Sequence, residues 1–120
     1  MQRRMLGGKI HRATITGADL HYEGSIAIDP NLMEASGILP FEEVKIYNVT
    51  NGERFDTYAI LGERGKGGIC VNGAAAHKAS SGDIVIICGY VYADDEAAKS
   101  WEPKLVYVDG ANRISQLSVA

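Results

Sequence analysis

Residues 43–60, EVKIYNVTNGERFDTYAI, carry the clearest local signal of structure in this chain of 120 residues. Two runs of alternating apolar and polar residues flank Asn51 and Gly52, a pair that favours a two-residue β-hairpin turn because both residues tolerate a positive φ. The pattern predicts two antiparallel strands joined by a type I′ turn. On the second strand, alternation places Arg54 and Tyr58 on the same face.

The same period of two residues continues through most of the chain and predicts an all-β protein. Short strands separated by glycine-containing turns are typical of small closed barrels. A chain of this length forms a single domain. We therefore predict a mainly β barrel with short helices, whose further strands cover residues 9–16, 25–29, 83–92 and 104–109.

Two short helices are predicted between the strands. In the segment DPNLMEASG, Asp29 is the expected N-cap, Pro30 occupies the first helical position and Gly37 ends the helix. Residues 94–101, DDEAAKSW, predict one or two further helical turns. The tail after Gly110 is expected to be partly disordered.

Composition and charge are those of an ordinary globular protein, with 46% hydrophobic and 22% charged residues. The formal net charge is −3, and no basic block provides the face that a nucleic-acid binder needs. Cys70 and Cys88 lack C-x-x-C spacing, which favours reduced, buried thiols in a cytosolic protein. The amino-terminal segment lacks the apolar core of a secretion signal, and the apolar run over residues 84–93 is too short to cross a bilayer. We expect a soluble, cytoplasmic protein.

Metal and phosphate sites are not indicated by the motifs. His11, His21 and His77 are far apart in sequence and lack the spacing of a zinc motif, although they could still meet in the folded chain. The segment GERGKGG has neither Rossmann spacing nor the ending of a phosphate-binding loop.

The segment LHYEGSIAID, residues 20–29, has an ordinary structural interpretation: Gly24 supplies a turn and Ser25 begins a strand. Ser25 lacks the second glycine of a G-x-S-x-G nucleophile elbow, and no partner residues for a catalytic triad stand out. Glycine before serine would also leave room for a sharply bent backbone.

Four segments together resemble the aspartate 1-decarboxylase family: GKIHRATIT, ADLHYEGSIAID, NVTNGERFDTYAI and VNGAAAHKASSGDIVII. The resemblance runs in register from about residue 5 to residue 92. Tyr47 stands where the family often has tryptophan, and the tail after residue 100 matches only loosely. Members of this family use a pyruvoyl group that is made from their own chain.

The resemblance implies a six-stranded double-psi β-barrel that assembles as a homotetramer with active sites at subunit boundaries. It also implies that the chain cuts itself between Gly24 and Ser25 into residues 1–24 and 25–120, and that the larger piece begins with the pyruvoyl group. The enzyme would convert L-aspartate to β-alanine and CO2 through a Schiff base, without a metal or pyridoxal phosphate. Its product would enter pantothenate synthesis, and some family members need a maturation factor.

Individual roles follow from the same resemblance. Ser25 attacks the carbonyl of Gly24 and becomes the pyruvoyl group, and Thr57 helps to polarise that carbonyl and contacts substrate. Tyr58 donates a proton to the carbanion. Arginine offers a planar two-pronged clamp and lysine a point charge for the substrate carboxylates. By this resemblance, Arg54 and Lys9 would bind the substrate carboxylates. The substrate pocket would be lined by Asn72, Gly73, Ala74 and Ala75, with His11 and Tyr22 nearby.

Two other functions remain open from the residues alone. One is a non-catalytic barrel that never cuts itself and binds a small anion or a protein partner. The other is a DNA-binding relative of the barrel with a swapped hairpin, against which the acidic charge balance argues.

Overall fold

Nine strands and three short helices make up residues 1–119, the part of the chain that the computed structural model describes. The strands are β1 (Gln2–Thr14), β2 (Gly17–Asp19), β3 (Ser25–Ile28), β4 (Glu43–Asn48), β5 (Arg54–Leu61), β6 (Ile69–Asn72), β7 (Ile84–Asp94), β8 (Lys104–Val108) and β9 (Ile114–Val119). The helices are α1 (Pro30–Ser36), α2 (Asp95–Lys99) and a 3-10 helix (Gly73–His77).

The predicted hairpin is confirmed, but the predicted turn type is wrong. Strands β4 and β5 pair antiparallel and Tyr47 lies opposite Arg54. Gly52 has a φ of +78°, whereas Asn51 does not lie in the left-handed region that a type I′ turn requires. The side chain of Asn48 explains the longer loop, because its Oδ1 accepts hydrogen bonds from the backbone N–H groups of Thr50 and Asn51 at 3.0 and 3.3 Å.

Six of the nine strands close into a ring, which matches the expected barrel. Hydrogen bonding joins them in the order β1, β7, β4, β5, β3 and β6. The ring closes where the N–H of Thr16, just after β1, donates to the carbonyl of Ile69 at 2.8 Å. Strands β2, β8 and β9 are additional, so the strand count exceeds the predicted six. The mainly β class is confirmed, and the double-psi crossing of the strands stays a prediction.

Branched aliphatic side chains fill the interior of the ring. Alternate residues of each strand point inward and are inaccessible to solvent, as the strand period requires. Burying each such side chain contributes about 1.5–3 kcal/mol. On β5, Arg54, Asp56 and Tyr58 lie on the outer face of the barrel, whereas Thr57 lies on the inner side with Phe55 and Ala59. The buried core includes Ile10, Ile26, Ile28, Val44, Ile46, Ala59, Ile69, Val71, Val85 and Ile87.

The predicted helix α1 is confirmed together with both of its ends. Asp29 Oδ1 accepts a hydrogen bond from the N–H of Asn31 at 2.9 Å, and Gly37 ends the helix with a φ of +75°. The same carboxylate accepts the N–H groups of Gly65 and Gly67 at 3.1 and 2.8 Å. Burial alone would raise the pKa of Asp29, but these three donors lower it below its usual value. Asp29 therefore stays charged and fixes the loop after β5 onto the start of the helix.

The expected disorder of the tail is wrong for the residues that form β9. Strand β9 pairs antiparallel with β8, and Asn112 anchors the turn between them. The Asn112 amide donates to the carbonyls of Thr14 and Gly67 at 2.8 and 2.7 Å, and its Oδ1 accepts the N–H of Thr14. One buried side chain therefore ties the tail to β1 and to the loop before β6.

Strand β1 departs most from its predicted bounds, while the short helix α2 forms within residues 94–101, where it was predicted. Strand β1 begins at Gln2 rather than residue 9 because it pairs along β7 as far as Asp94. Within residues 1–119, no helix has the length and apolar character needed to span a membrane.

Candidate active site

Ser25 is the first residue of β3 and is almost inaccessible to solvent, at 1% exposure. It lies opposite Asn72 in the antiparallel pair of β3 and β6. The Asn72 amide Nδ2 donates a hydrogen bond to Ser25 Oγ at 3.1 Å, and Oγ lies 3.5 Å from the carbonyl oxygen of Glu23. The hydroxyl is therefore held at a fixed place beside the peptide bond that joins Gly24 to Ser25.

Gly73 presses directly against this peptide. Its φ is +68°, and a Cβ at this position would lie 2.7 Å from Gly24 Cα and 2.8 Å from Gly24 N. The carbonyl oxygen of Tyr22 would lie 3.0 Å away. Real Cβ atoms do not approach backbone this closely, so only glycine fits at the first position of the 3-10 helix.

The backbone bends at Gly24, as expected for a glycine before Ser25. Its φ does not lie in the left-handed region, and a Cβ built on it would meet nothing within 4 Å. The crowded, left-handed glycine of the site is Gly73, the first residue of the 3-10 helix. Close packing therefore requires glycine at position 73, which the sequence did not indicate.

Strand β5 brings two further predicted residues to the same place. Strands β3 and β5 are parallel, with Ile26 level with Ala59. One residue earlier in this register, Ser25 is level with Tyr58. Two residues earlier, Gly24 is level with Thr57. Thr57 is half-buried, and Tyr58 lies at the surface.

Arg54 is not next to Ser25 within one chain. It precedes Tyr58 by four residues on the same strand face, which corresponds to about 13 Å along β5. Its guanidinium lies 4.1 Å above the ring of Tyr47 on β4, on the side away from β3. Lys9 lies on β1, which only β6 separates from β3 in the closed ring, and it is level with Cys88 of β7. The structure therefore gathers the residues predicted for cleavage and places Arg54, one of the two predicted carboxylate-binding residues, apart from them.

Tyr22, Ala74 and Ala75 lie beside the Gly24 peptide, whereas His11 lies on β1. Tyr22 is exposed beside Gly24, and Ala74 and Ala75 lie in the 3-10 helix that follows Asn72. His11 lies on β1, with its ring 5.4 Å from that of Tyr107 and its Nδ1 buried without a partner in residues 1–119. Burial, together with the charges of Lys9 and Arg12, lowers the pKa of His11 and favours its neutral form.

Arg54 lines a groove of about 510 Å³ that the sequence did not predict. Alternation alone shows that Tyr90 is on one face of β7, but not which strands flank it, so the partners of Tyr90 could not be inferred. The groove is lined by Arg4, Lys45, Tyr47, Arg54, Phe55, Asp56 and Tyr90. Within residues 1–119 no group of three or more His, Cys, Asp or Glu side chains is arranged to hold a metal ion.

A sequence model of the family described as aspartate decarboxylase matches residues 1–115. The chain belongs to the aspartate decarboxylase family. The predicted family and the predicted enzyme class are thereby confirmed. A protein of Syntrophus aciditrophicus named aspartate 1-decarboxylase is 63% identical over 114 residues, covering 95% of this chain and 98% of its own.

Two further proteins of the same name are similar over nearly the whole chain. That of Thermoanaerobacter pseudethanolicus is 58% identical, covering 94% of this chain and 97% of its own. That of Chromobacterium violaceum is 57% identical, covering 100% of this chain and 95% of its own. The match to the Chromobacterium violaceum protein therefore includes the tail after residue 100, where the sequence resemblance was only loose.

Replacing Gly73 with alanine tests the close approach between β6 and the Gly24 peptide. A left-handed φ costs a non-glycine residue about 1–2 kcal/mol, and forcing a Cβ into the backbone adds about 1–3 kcal/mol. Gly52→Ala is the matched control, because Gly52 has a φ of +78° and open space around its Cβ position. Free energies of unfolding from denaturant titration should show the larger loss for Gly73→Ala. Equal losses in the two variants would contradict the crowding.

Proposed function

We propose that this chain decarboxylates L-aspartate to β-alanine and CO2, using a pyruvoyl group made from its own Ser25. The observation that carries the proposal is the peptide between exposed Gly24 and buried Ser25, held by Asn72, crowded by Gly73 and level with Thr57 and Tyr58. The relatives named aspartate 1-decarboxylase support the substrate and the reaction.

Formation of the group begins with Ser25 Oγ attacking the carbonyl carbon of Gly24, which turns the peptide bond into an ester. Elimination then releases the Gly24 carboxylate and leaves dehydroalanine at position 25. Hydrolysis of this residue releases ammonia and leaves a ketone at the start of residues 25–120, while residues 1–24 become a separate chain. Thr57 is level with Gly24, so we assign its hydroxyl to polarising the Gly24 carbonyl.

The residues around Ser25 fit a pyruvoyl group. Asn72 Nδ2 donates to an oxygen of residue 25, and an amide donor serves a carbonyl oxygen as well as a hydroxyl. Since Gly73 has no side chain, its backbone lies directly against Gly24, while the outer side of Gly24 has nothing within 4 Å of its Cβ position. A pyruvoyl group held there by Asn72 would supply an electron sink for the pair that the departing CO2 leaves behind, the role that pyridoxal phosphate has in other decarboxylases.

The outer face of β5 supplies the other two functions that the reaction needs. Tyr58 is level with Ser25 and carries a proton on an exposed phenol, so we assign it to protonating the carbon that loses CO2. Arg54 is assigned to one substrate carboxylate, which its planar guanidinium can hold with two N–H donors. Lys9 supplies a second positive charge. The substrate pocket is completed by Asn72, Gly73, Ala74 and Ala75, and bordered by His11 and Tyr22.

Since Arg54 lies about 13 Å along β5 from the position level with Ser25 of the same chain, we propose that a second copy completes each site within a homotetramer. Exposed apolar side chains provide surface for such an assembly, as in Tyr22, Leu39, Phe41 and Leu61. A maturation factor is a further expected partner for the cleavage step. The free thiols of Cys70 and Cys88 suit the reducing cytoplasm, where β-alanine would enter pantothenate synthesis.

Ser25→Ala tests the origin of the cofactor, because alanine has no hydroxyl to attack Gly24. We expect no fragment of residues 1–24 by mass spectrometry and no β-alanine from aspartate. Ser36→Ala is the matched control, since Ser36 is equally buried and also contacts a backbone carbonyl through its hydroxyl. The control should be cleaved and active. Cleavage or activity in Ser25→Ala would overturn the proposal and favour a non-pyruvoyl mechanism.

Tyr58→Phe tests the proton donor separately from cleavage. The variant should still be cut at Gly24, while kcat falls by about 10²–10⁴-fold because the positioned acid is lost. Tyr92→Phe, at an exposed tyrosine of β7, is the control and should retain normal turnover. Normal production of β-alanine by cleaved Tyr58→Phe would assign the proton to another group.

A further inference from the structure

Four side chains form a continuous row along the groove that contains Arg54. The Arg54 guanidinium lies 4.1 Å above the Tyr47 ring, and the Arg4 guanidinium lies 5.4 Å from the centre of the Tyr90 ring. The hydroxyls of Tyr47 and Tyr90 are hydrogen-bonded to each other at 2.9 Å. We call these four residues the arginine–tyrosine row. One hydrogen bond between two rings therefore joins two cation–π stacks.

Strand register explains why the two hydroxyls meet. Tyr47 is level with Ile86 on β7, and Lys45, two residues earlier, is level with Cys88. Tyr90 follows Cys88 by two residues on the same face of β7, so the two rings stand on either side of the Cys88 position. Their hydroxyls meet above the buried thiol, which is 4% exposed.

The hydrogen bond between the two hydroxyls is partly buried. Burial, followed by the hydrogen bond to Tyr47, raises the pKa of Tyr90, and burial raises the pKa of Cys88. Tyr90 therefore keeps its proton across the physiological pH range. The hydrogen bond holds the hydroxyl end of each ring in place above the groove.

The charges of the groove leave Arg54 available for an anion. Asp56 is the acidic side chain that lines the groove, and it pairs with Lys45 at 3.1 Å. Among the ion pairs formed within residues 1–119, none involves Arg54. The ring of Tyr47 is thus the contact that orients the guanidinium while its N–H groups stay free.

We propose that Tyr90 is a positioning residue for substrate binding: its hydroxyl fixes the Tyr47 ring, and that ring holds Arg54 ready for a substrate carboxylate. The inference rests on the proposed function, in which Arg54 binds aspartate. Holding a long, flexible side chain in its binding geometry before substrate arrives raises affinity, because less conformational freedom is lost on binding. Tyr90 acts through Tyr47 and does not touch the reacting atoms.

Tyr90→Phe keeps the ring and removes the hydroxyl, which makes it the direct test. We expect the KM for aspartate to rise by about fivefold, the loss typical of one neutral hydrogen bond, with kcat within about twofold of the unsubstituted enzyme. The inhibition constant of succinate, a dicarboxylate without the reacting amine, should rise by the same factor. Cleavage at Gly24 should remain complete. Tyr92→Phe, at an exposed tyrosine two residues along β7, is the control and should change none of these quantities.

Tyr47→Phe and the double variant complete the test. Because both single changes break the same hydrogen bond, the double variant should show no larger rise in KM than either single variant. An unchanged KM and succinate inhibition in Tyr90→Phe would overturn the positioning role, as would effects that multiply in the double variant. If the unsubstituted, cleaved enzyme forms no β-alanine from aspartate, that result overturns the proposed function, and with it the role of Tyr90 in binding aspartate.

Discussion

The contact between the Asn72 amide and Ser25 Oγ links the end of β6 to the start of β3, and the proposed chemistry depends on it. It holds the buried Ser25 hydroxyl beside the peptide bond that precedes it, at the point where the exposed residues 21–24 enter the barrel. Gly73, the next residue along the chain, brings its backbone against Gly24 at a distance that no side chain tolerates. Two adjacent residues of β6 and its following helix therefore set both the position of the hydroxyl and the shape of the peptide it would attack.

The barrel determines which residues can join that contact. The parallel pairing of β3 with β5 places Thr57 level with Gly24 and Tyr58 level with Ser25. Arg54 is at the other end of β5, where it lies opposite Tyr47 of β4. This geometry divides the proposed site into a cleavage region and a carboxylate-binding groove. A second copy of the chain is the simplest way to bring the two together. In such an assembly, the arginine–tyrosine row would hold Arg54 of one subunit in its binding position before substrate enters the site of the neighbouring subunit.

Local features of the fold could be predicted from the sequence, because their causes lie within a few residues. Asp29, Pro30 and Gly37 specify both ends of α1, and the alternation around residues 43–60 specifies the hairpin. The type of turn could not be predicted, because the side chain of Asn48 reshapes it. Strand β9 depends on Asn112 reaching Thr14 and Gly67, contacts that no local pattern reveals. The identities of the site residues were predicted from the family resemblance. Their separation into two regions could not be predicted, because it depends on the order and register of the strands.

The intact mass of the purified, active protein tests the central claim most directly. The account predicts two chains, residues 1–24 and a larger chain that is lighter than residues 25–120 with an amino-terminal serine by the mass of one ammonia molecule. Loss of ammonia is the signature of serine converted to a pyruvoyl group. A preparation that forms β-alanine from aspartate while consisting of a single uncut chain of 12.9 kDa would contradict the account.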